Sequence, residues 1–317
     1  MKAEGGIHMD YILTTNAVSK KYWKAKALDG VTMHIPRGAI YGFVGRNGAG
    51  KTTLIRLICG LQDPSEGDYT LCGINSASGD IAAARRKMSA VVEKPAFYSD
   101  MTARQNLEMQ YTLLGMPADD GIDELLKLVG LSDTGSKKAK NFSLGMKQRL
   151  GIAIALCGRP DFLVLDEPTN GLDPQGIIEI RELILRLNRE RQMTVLISSH
   201  ILDELARLAT HYGFIEKGKI VQEISAQALE AKCRKYLHVK VSDIKRFTNV
   251  MEENHWDYEI LTDSEANIYE KIMIRHLSDA LAAADCELMS VSEHEESLEN
   301  YFINLIGGAG AEGGAAK

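Results

Sequence analysis

The chain has 317 residues, of which 45% are hydrophobic and 25% charged, and its net charge is −6. That balance is ordinary for a globular protein large enough for one big domain or two smaller ones, and the acidic excess argues against a nucleic-acid partner. No apolar run reaches the roughly 18 residues of a bilayer-spanning helix, and no secretory pattern opens the chain, so any membrane span belongs to another polypeptide.

Taken in chain order, residues 1–8 are small and polar and read as a loose or vector-derived tail, with a natural start at Met9. Ala39–Val44 is a short apolar run fit for a strand. It leads into Gly45-Arg46-Asn47-Gly48-Ala49-Gly50-Lys51-Thr52-Thr53, which fits the phosphate-loop pattern Gly-x4-Gly-Lys-Thr. The glycines let successive backbone N–H groups converge in a concave nest, and a helix from Leu54 to Cys59 adds its N-terminal partial charge. Lys51 can reach β- and γ-phosphates, and the Thr52 hydroxyl can hold Mg²⁺. Nucleotide binding follows from the motif.

Further along, Leu163–Leu165 and Val195–Ser198 are short apolar strands, each preceded by a helical segment. Such alternation predicts an α/β core with a mostly parallel sheet. Phe162–Leu165 delivers Asp166 and Glu167 to the sheet edge where the phosphate loop also emerges. Asp166 is expected to hold Mg²⁺ through water. Glu167 is expected to orient or deprotonate the attacking water.

From about Ile224 the pattern changes. Leu237, Val239 and Val241 alternate with polar residues, as in a half-buried strand. A helix over Ile244–Asn254, strands over Tyr258–Leu261 and Ile268–Ile272, a helix over Leu277–Ala284 and a strand near Leu288–Val291 follow. The order βαββαβ predicts a small ferredoxin-like α+β domain. A last amphipathic helix groups Leu298, Tyr301, Phe302 and Leu305, with Ser292 and Glu295 as a capping box. The expected divisions are 9–223 for the nucleotide-binding domain, 224–306 for an accessory domain and 307–317 for a flexible Gly/Ala tail. Cys59, Cys72, Cys157, Cys233 and Cys286 have no Cys-x-x-Cys spacing and read as small hydrophobes in a reducing compartment. His238, His255, His276 and His294 lack ligand spacing.

Phe142-Ser143-Leu144-Gly145-Met146-Lys147-Gln148-Arg149-Leu150 resembles the Leu-Ser-Gly-Gly-Gln signature of ATP-binding cassette (ABC) proteins. Leu144 and Met146 depart from that consensus; Ser143 and Gly145 keep the hydroxyl and the unhindered amide. Gly171-Leu172-Asp173-Pro174 is similar to the loop by which ABC subunits touch, and His200 after Ser198-Ser199 to their switch histidine. Tyr22 stands where the family stacks an aromatic on adenine, with Trp23 as its rival. The resemblance covers about residues 10–223. It implies a P-loop ABC ATPase fold: a mostly parallel core, an antiparallel edge sheet and a helical subdomain. It further implies two copies facing head to tail, with Lys51, Asp166 and His200 of one and Ser143 and Gly145 of the other enclosing ATP and Mg²⁺. Arg149 and Lys147 could serve the anionic site or only cover the helix.

Glu93 replaces the glutamine that ABC subunits usually place at Mg²⁺ and near the membrane partner; its carboxylate still offers an oxygen to Mg²⁺. Together with Pro95-Ala96-Phe97-Tyr98, the signature form and the ending Glu295–Phe302, Glu93 resembles the ATPases of bacitracin-resistance and lantibiotic-immunity exporters. Neutral variation within generic drug-type exporters is the other reading of Glu93. The implied role is the ATPase of an exporter. It would act from the cytoplasmic face of the membrane with ABC-2 type permease subunits and a second ATPase copy. The surface near Glu93–Gly115, with Phe97, Tyr98, Met101, Met109, Tyr111 and Met116, would meet the permease, while some of these residues serve as the internal core of a helical subdomain. A soluble ABC ATPase that remodels a macromolecular complex is the alternative. A signalling GTPase is excluded because no Asn-Lys-x-Asp pattern occurs.

Overall fold

The computed structural model describes residues 10–23, 25–117, 121–233, 235–270, 272–294 and 298–309. They fold as two units, one reaching Ala226 and the other covering Gln227–Gly308. Residues 1–9, Glu295 and residues 310–317, on which part of the sequence reading falls, lie outside the described residues.

The first unit begins with a long antiparallel pair, β1 (Tyr11–Tyr22) and β2 (Ala25–Pro36), that the sequence reading did not place. The register shifts between Thr15 and Val18, where Ala17 has φ +49°, so the apolar alternation slips mid-strand. β3 (Ile40–Val44) leads through the phosphate loop into α1 (Lys51–Ile58). β4 (Glu66–Leu71) and β5 (Ile74–Asn75) complete an antiparallel sheet in the order β2-β1-β4-β5. α2 (Ile81–Arg85) and β6 (Met88–Val91) precede three helices that pack on one another, α3 (Ala103–Leu113), α4 (Ile122–Leu128) and α5 (Leu144–Leu156). β7 (Phe162–Asp166), α6 (Pro174–Arg191), β8 (Thr194–Ser199), α7 (Leu202–Ala206), β9 (His211–Glu216) and β10 (Lys219–Ser225) follow.

The second sheet runs β10-β9-β3-β8-β7-β6, with β10 antiparallel and the other pairings parallel. β3, β7 and β8 are buried at every position, as strands covered on both faces must be. Leu54, Ile55, Leu57 and Ile58 of α1 share one core with Leu13, Val31 and Leu71 of the antiparallel sheet and Phe43, Val164 and Leu196 of the parallel one. α1 is therefore gripped on several sides, and the loop before it starts from a fixed base.

The two sheets also share a polar joint. Glu223 on β10 accepts from the His34 backbone N–H (2.8 Å) and the Tyr41 hydroxyl (2.6 Å), and its other oxygen meets His34 Nδ1 at 2.9 Å. Burial and the adjacent carboxylate push the Tyr41 phenol well above its usual range. The ring fits only because residue 213 is glycine: a Cβ there would overlap the Tyr41 hydroxyl.

The second unit starts with α8 (Ala226–Lys232) and continues through β11 (Tyr236–Val241), α9 (Ile244–Glu253), β12 (Tyr258–Ile260), β13 (Glu265–Ile268), α10 (Ile274–Ala283), β14 (Leu288–His294) and α11 (Leu298–Ala309). Its sheet order, β12-β13-β11-β14, all antiparallel, is that of a ferredoxin-like βαββαβ unit. Leu237, Val239 and Val241 face a core completed by Phe247, Met251, Leu277 and Leu281. Three expectations need correction. β13 ends at Ile268, where it was expected to begin, because pairing with β12 fixes Ile268 opposite Tyr258. Ser292 is a strand residue opposite His238, not a helix cap. Gly307–Ala309 belong to α11, not to the tail. The histidines are also less scattered than their spacing suggests: His238 and His294 sit edge to face, 6.0 Å apart. No group of three or more His, Cys, Asp or Glu suited to a metal occurs among the described residues. Burial pushes the Cys59 and Cys157 thiols up to about 12, which makes them inert packing groups at neutral pH.

Gly213→Ala is expected to destabilise the first unit by about 1–3 kcal/mol, the usual cost of overpacking. Adding Tyr41→Phe removes the overlapping oxygen and should recover part of the loss. Thermal melts of the two variants beside the parent check this ordering.

Candidate active site

The phosphate loop is shaped by exclusion of side chains. A Cβ at Gly45 would lie 2.5 Å from the Ile215 carbonyl, and one at Gly50 would lie 2.8 Å from the Ala27 carbonyl. Gly48 and Gly50 hold φ of +80° and +112°, values that suit glycine. Gly218 N–H donates to the Ala49 carbonyl at 2.9 Å, pinning the loop to the β9–β10 turn. Gly50 is the N-cap of α1 and offers no side-chain cap, so the first amides of α1 remain free to meet an anion.

Lys51 is only 5% exposed and folds back along the loop. Its ammonium donates to the Gly45 carbonyl (2.6 Å) and the Arg46 carbonyl (3.3 Å) and lies 3.2 Å from Glu167 Oε1. An ammonium has three donors. Engaging a phosphate oxygen therefore exchanges at least one of these contacts.

Asp166, at the end of β7, is 2% exposed. A buried carboxylate must be answered by donors. Thr52 Oγ1 donates to Oδ2 at 2.8 Å, and Ser198 Oγ donates to Oδ1 at 2.6 Å. Ser198, given no role in the sequence reading, lies beside Asp166 in the β7–β8 register. It stood out in sequence only as a hydroxyl ending an apolar run. Oxygens of Thr52 and Asp166, brought together at an anion-binding loop, suit a hard cation that keeps waters and takes phosphate oxygens.

Glu167 leaves the strand with φ +48°. Its N–H donates to the Ser198 hydroxyl at 2.9 Å. This turn carries the carboxylate out between two cationic or protonatable groups: Oε1 faces Lys51, and Oε2 is 3.0 Å from His200 Nδ1. Asn170 Nδ2 approaches Oε2 at 3.5 Å. Because a carboxylate only accepts, Nδ1 is the donor in this contact. The structure thus gathers Lys51, Thr52, Asp166, Glu167 and His200 around one loop, and Thr53 lies beside them in the first turn of α1.

Ser143, Gly145 and Asp173 are grouped elsewhere. Ser143 caps α5 through Met146 N–H (3.3 Å), and Asp173 caps α6 through Gly176 N–H (3.0 Å). All three line one open cleft of about 450 Å³ with Leu144 and Arg149, and no phosphate-loop residue shares that lining. Arg149 turns away from an anionic role. Its guanidinium donates to the Val129 and Gly130 carbonyls and lies 3.4 Å from Glu179, which clamps α5 to the end of α4 and to α6.

Glu93, exposed and with φ +60°, pairs with Arg56. Arg56 lies one turn beyond Thr52 on the same face of α1. Tyr22 is 39% exposed and its hydroxyl donates to Gln62, whereas Trp23 is fully exposed. Among residues expected to meet a partner, Tyr111 is buried in the helical layer instead. Tyr98, Leu113 and Leu114 present the exposed apolar surface there.

A family model described as ABC transporter matches residues 28–170. The bacitracin transport ATP-binding protein BcrA of Bacillus licheniformis is 42% identical over 303 residues, covering 95% of this chain and 99% of that protein. The lantibiotic transport ATP-binding protein SrtF of Streptococcus pyogenes is 43% identical over 212 residues, covering 67% of this chain and 90% of that protein. Among solved structures, the dimeric post-hydrolysis ATP-binding cassette MJ0796, bound to ADP and phosphate, superposes with a TM-score of 0.61 at 26% identity, covering 68% of this chain and 98% of that one. This chain belongs to the ABC transporter family and is the ATP-hydrolysing subunit of such a transporter.

Proposed function

We propose that this chain powers export of a peptide antibiotic or a related drug through separate ABC-2 type permease subunits, acting from the cytoplasmic face of the membrane. The observation that carries the substrate class is similarity along almost the whole length of the bacitracin transport protein, second unit included. The lantibiotic relative adds the same class independently.

Within the site, Lys51 and the amides of Gly45 to Thr53 hold the ATP phosphates, and Tyr22, with Trp23 as rival, stacks on the base. Thr52, Asp166 and Glu93 would hold Mg²⁺. The cation supplies charge neutralisation on the phosphate oxygens. Glu167 orients or deprotonates the attacking water, and His200 contacts the γ-phosphate. Ser143 and Gly145 act on the phosphate of a second copy, and Asp173 lies at the contact between copies. The separation of their cleft from the phosphate loop supports this sharing, because a signature serine without a phosphate of its own requires one from elsewhere. The second unit supports the dimer or regulates it.

A cleft of about 710 Å³ offers the permease a seat. Its floor includes Ala90, Val92, Pro95, Leu114 and Ile154, and among the described residues its charged lining, Arg85, Arg86 and Lys94, is positive. An amphipathic helix bearing carboxylates on its docking face matches both features. The cleft borders the Glu93 segment, which links docking to the Thr52–Asp166 site.

Three measurements test the reading. Lys51→Ala should weaken ATP binding by at least about 100-fold, as loss of a buried charged partner does, in calorimetric titration. Glu167→Gln should remain an ATP-bound dimer in size-exclusion chromatography, and a monomer at saturating ATP refutes the shared site. Glu93→Ala should impair transport in permease-containing vesicles more than ATP turnover by the isolated chain; equal losses would make Glu93 part of the chemistry instead.

A further inference from the structure

We propose that Glu204 is a positioning residue for ATP hydrolysis: its carboxylate ties together the loops that carry Glu167 and His200. The proposal rests on the roles given above to those two residues. It concerns a side chain that touches neither of them.

Glu204 lies on α7, directly after the His200 loop. Its Oε2 accepts from Thr169 Oγ1 at 2.5 Å and lies 3.4 Å from Ser199 Oγ. Thr169 follows Glu167 by two residues and precedes Asp173 by four. Ser199 immediately precedes His200 and is 3% exposed. One carboxylate oxygen thus meets hydroxyls from the ends of two adjacent strands, β7 and β8.

The base of this tie is firm. Leu202 and Leu205 bury α7 against the sheet, each 2% exposed. Ser199 Oγ accepts from Ile201 N–H at 2.9 Å, closing the turn that leads into α7. The Thr169 loop is held in its own right, because Leu172 N–H donates to the Thr169 carbonyl at 3.1 Å. The Thr169 bond to the carboxylate is short and of the stronger, charge-assisted kind, whereas the Ser199 contact is long and its hydroxyl also donates to the Ile201 carbonyl at 3.1 Å, so the tie rests mainly on Thr169.

Above the tie, the same two loops meet a second time, where His200 Nδ1 faces Glu167 Oε2 at 3.0 Å. That contact has to rearrange in the reaction, since both partners act on phosphate or water. The Glu204 contact does not. It keeps the loops at a fixed spacing while the upper pair changes partners, and it links the His200 loop to the Asp173 loop. A misplacement of about 1 Å among reacting groups can cost about 100-fold in rate, so a spacer of this kind has catalytic weight without touching substrate.

The test is steady-state ATP turnover by the purified full chain, with ATP-binding stoichiometry measured on the same samples. Glu204→Ala is expected to lower kcat by about 10- to 100-fold and to change KM for ATP by less than about threefold, because the phosphate loop is untouched. Stoichiometry stays at the parent value, which separates lost positioning from lost fold. Thr169→Val should act in the same direction, Thr169→Ser should restore most of the rate, and Glu204→Ala with Thr169→Val should be no worse than the weaker single variant. Unchanged kcat in Glu204→Ala, an inert Thr169→Val or multiplying effects in the pair overturns the proposal. Glu167→Gln and His200→Ala serve as controls. If they retain full turnover, the assigned roles fail; if they are impaired while Glu204 and Thr169 variants are not, the positioning proposal alone fails.

Discussion

A carboxylate at the end of a fully buried strand is the constraint on which the site depends. Asp166 is nearly inaccessible and lies in a sheet whose central strands are covered on both faces. An ion there is tolerable only with donors at both oxygens. Thr52 supplies one from the start of α1 and Ser198 the other from the end of β8. Meeting that requirement joins the phosphate loop, β7 and β8 at one point. The strained turn at Glu167 and the approach of His200 follow from it, because both residues leave strands already locked side by side. Packing of α1 between two sheets completes the arrangement by fixing the helix that carries Thr52.

Much of this was legible in the sequence because the relevant elements are short, apolar and punctuated by glycine or acid. Ile40–Val44, Phe162–Asp166 and Thr194–Ser199 are built on short apolar runs, and site residues stand at or directly after the end of each. What escaped reading depended on neighbours distant in the chain. Ser198 gains its role from a cross-strand partner. Glu93 gains its partner from a helix turn about forty residues earlier in the chain, and nothing local announces that pairing. The β1–β2 pair was hidden by a register shift at Ala17, which scrambles the period-two signal. Which of the aromatic and methionine residues near Glu93–Gly115 are core and which are surface also depends on the helical layer: α3 places Tyr111 inside it.

The second unit shows the opposite balance. Its order of elements was legible from alternation and helical periodicity, while its strand limits were not. Ile272 drew the expected strand too far along the chain; cross-strand pairing of Tyr258 with Ile268 placed it earlier. The same pairing logic brings His238 and His294 together across β11 and β14, although 55 other residues separate them in sequence. Spacing along a chain is thus a poor guide to contact in an antiparallel sheet, where partners are set by strand order.

Ser143 carries two demands on one oxygen. Its hydroxyl holds the first turn of α5 through Met146 N–H, and the residue lines the cleft proposed above for the nucleotide of a second copy. Helix capping alone would accept aspartate or asparagine as readily as serine. A phosphate-facing position rejects aspartate on charge and leaves only uncharged caps. The alphabet open to position 143 is therefore the overlap of two unequal lists, one written by folding and the other by the partner copy. A substitution there can keep the helix intact and still forfeit the assembly.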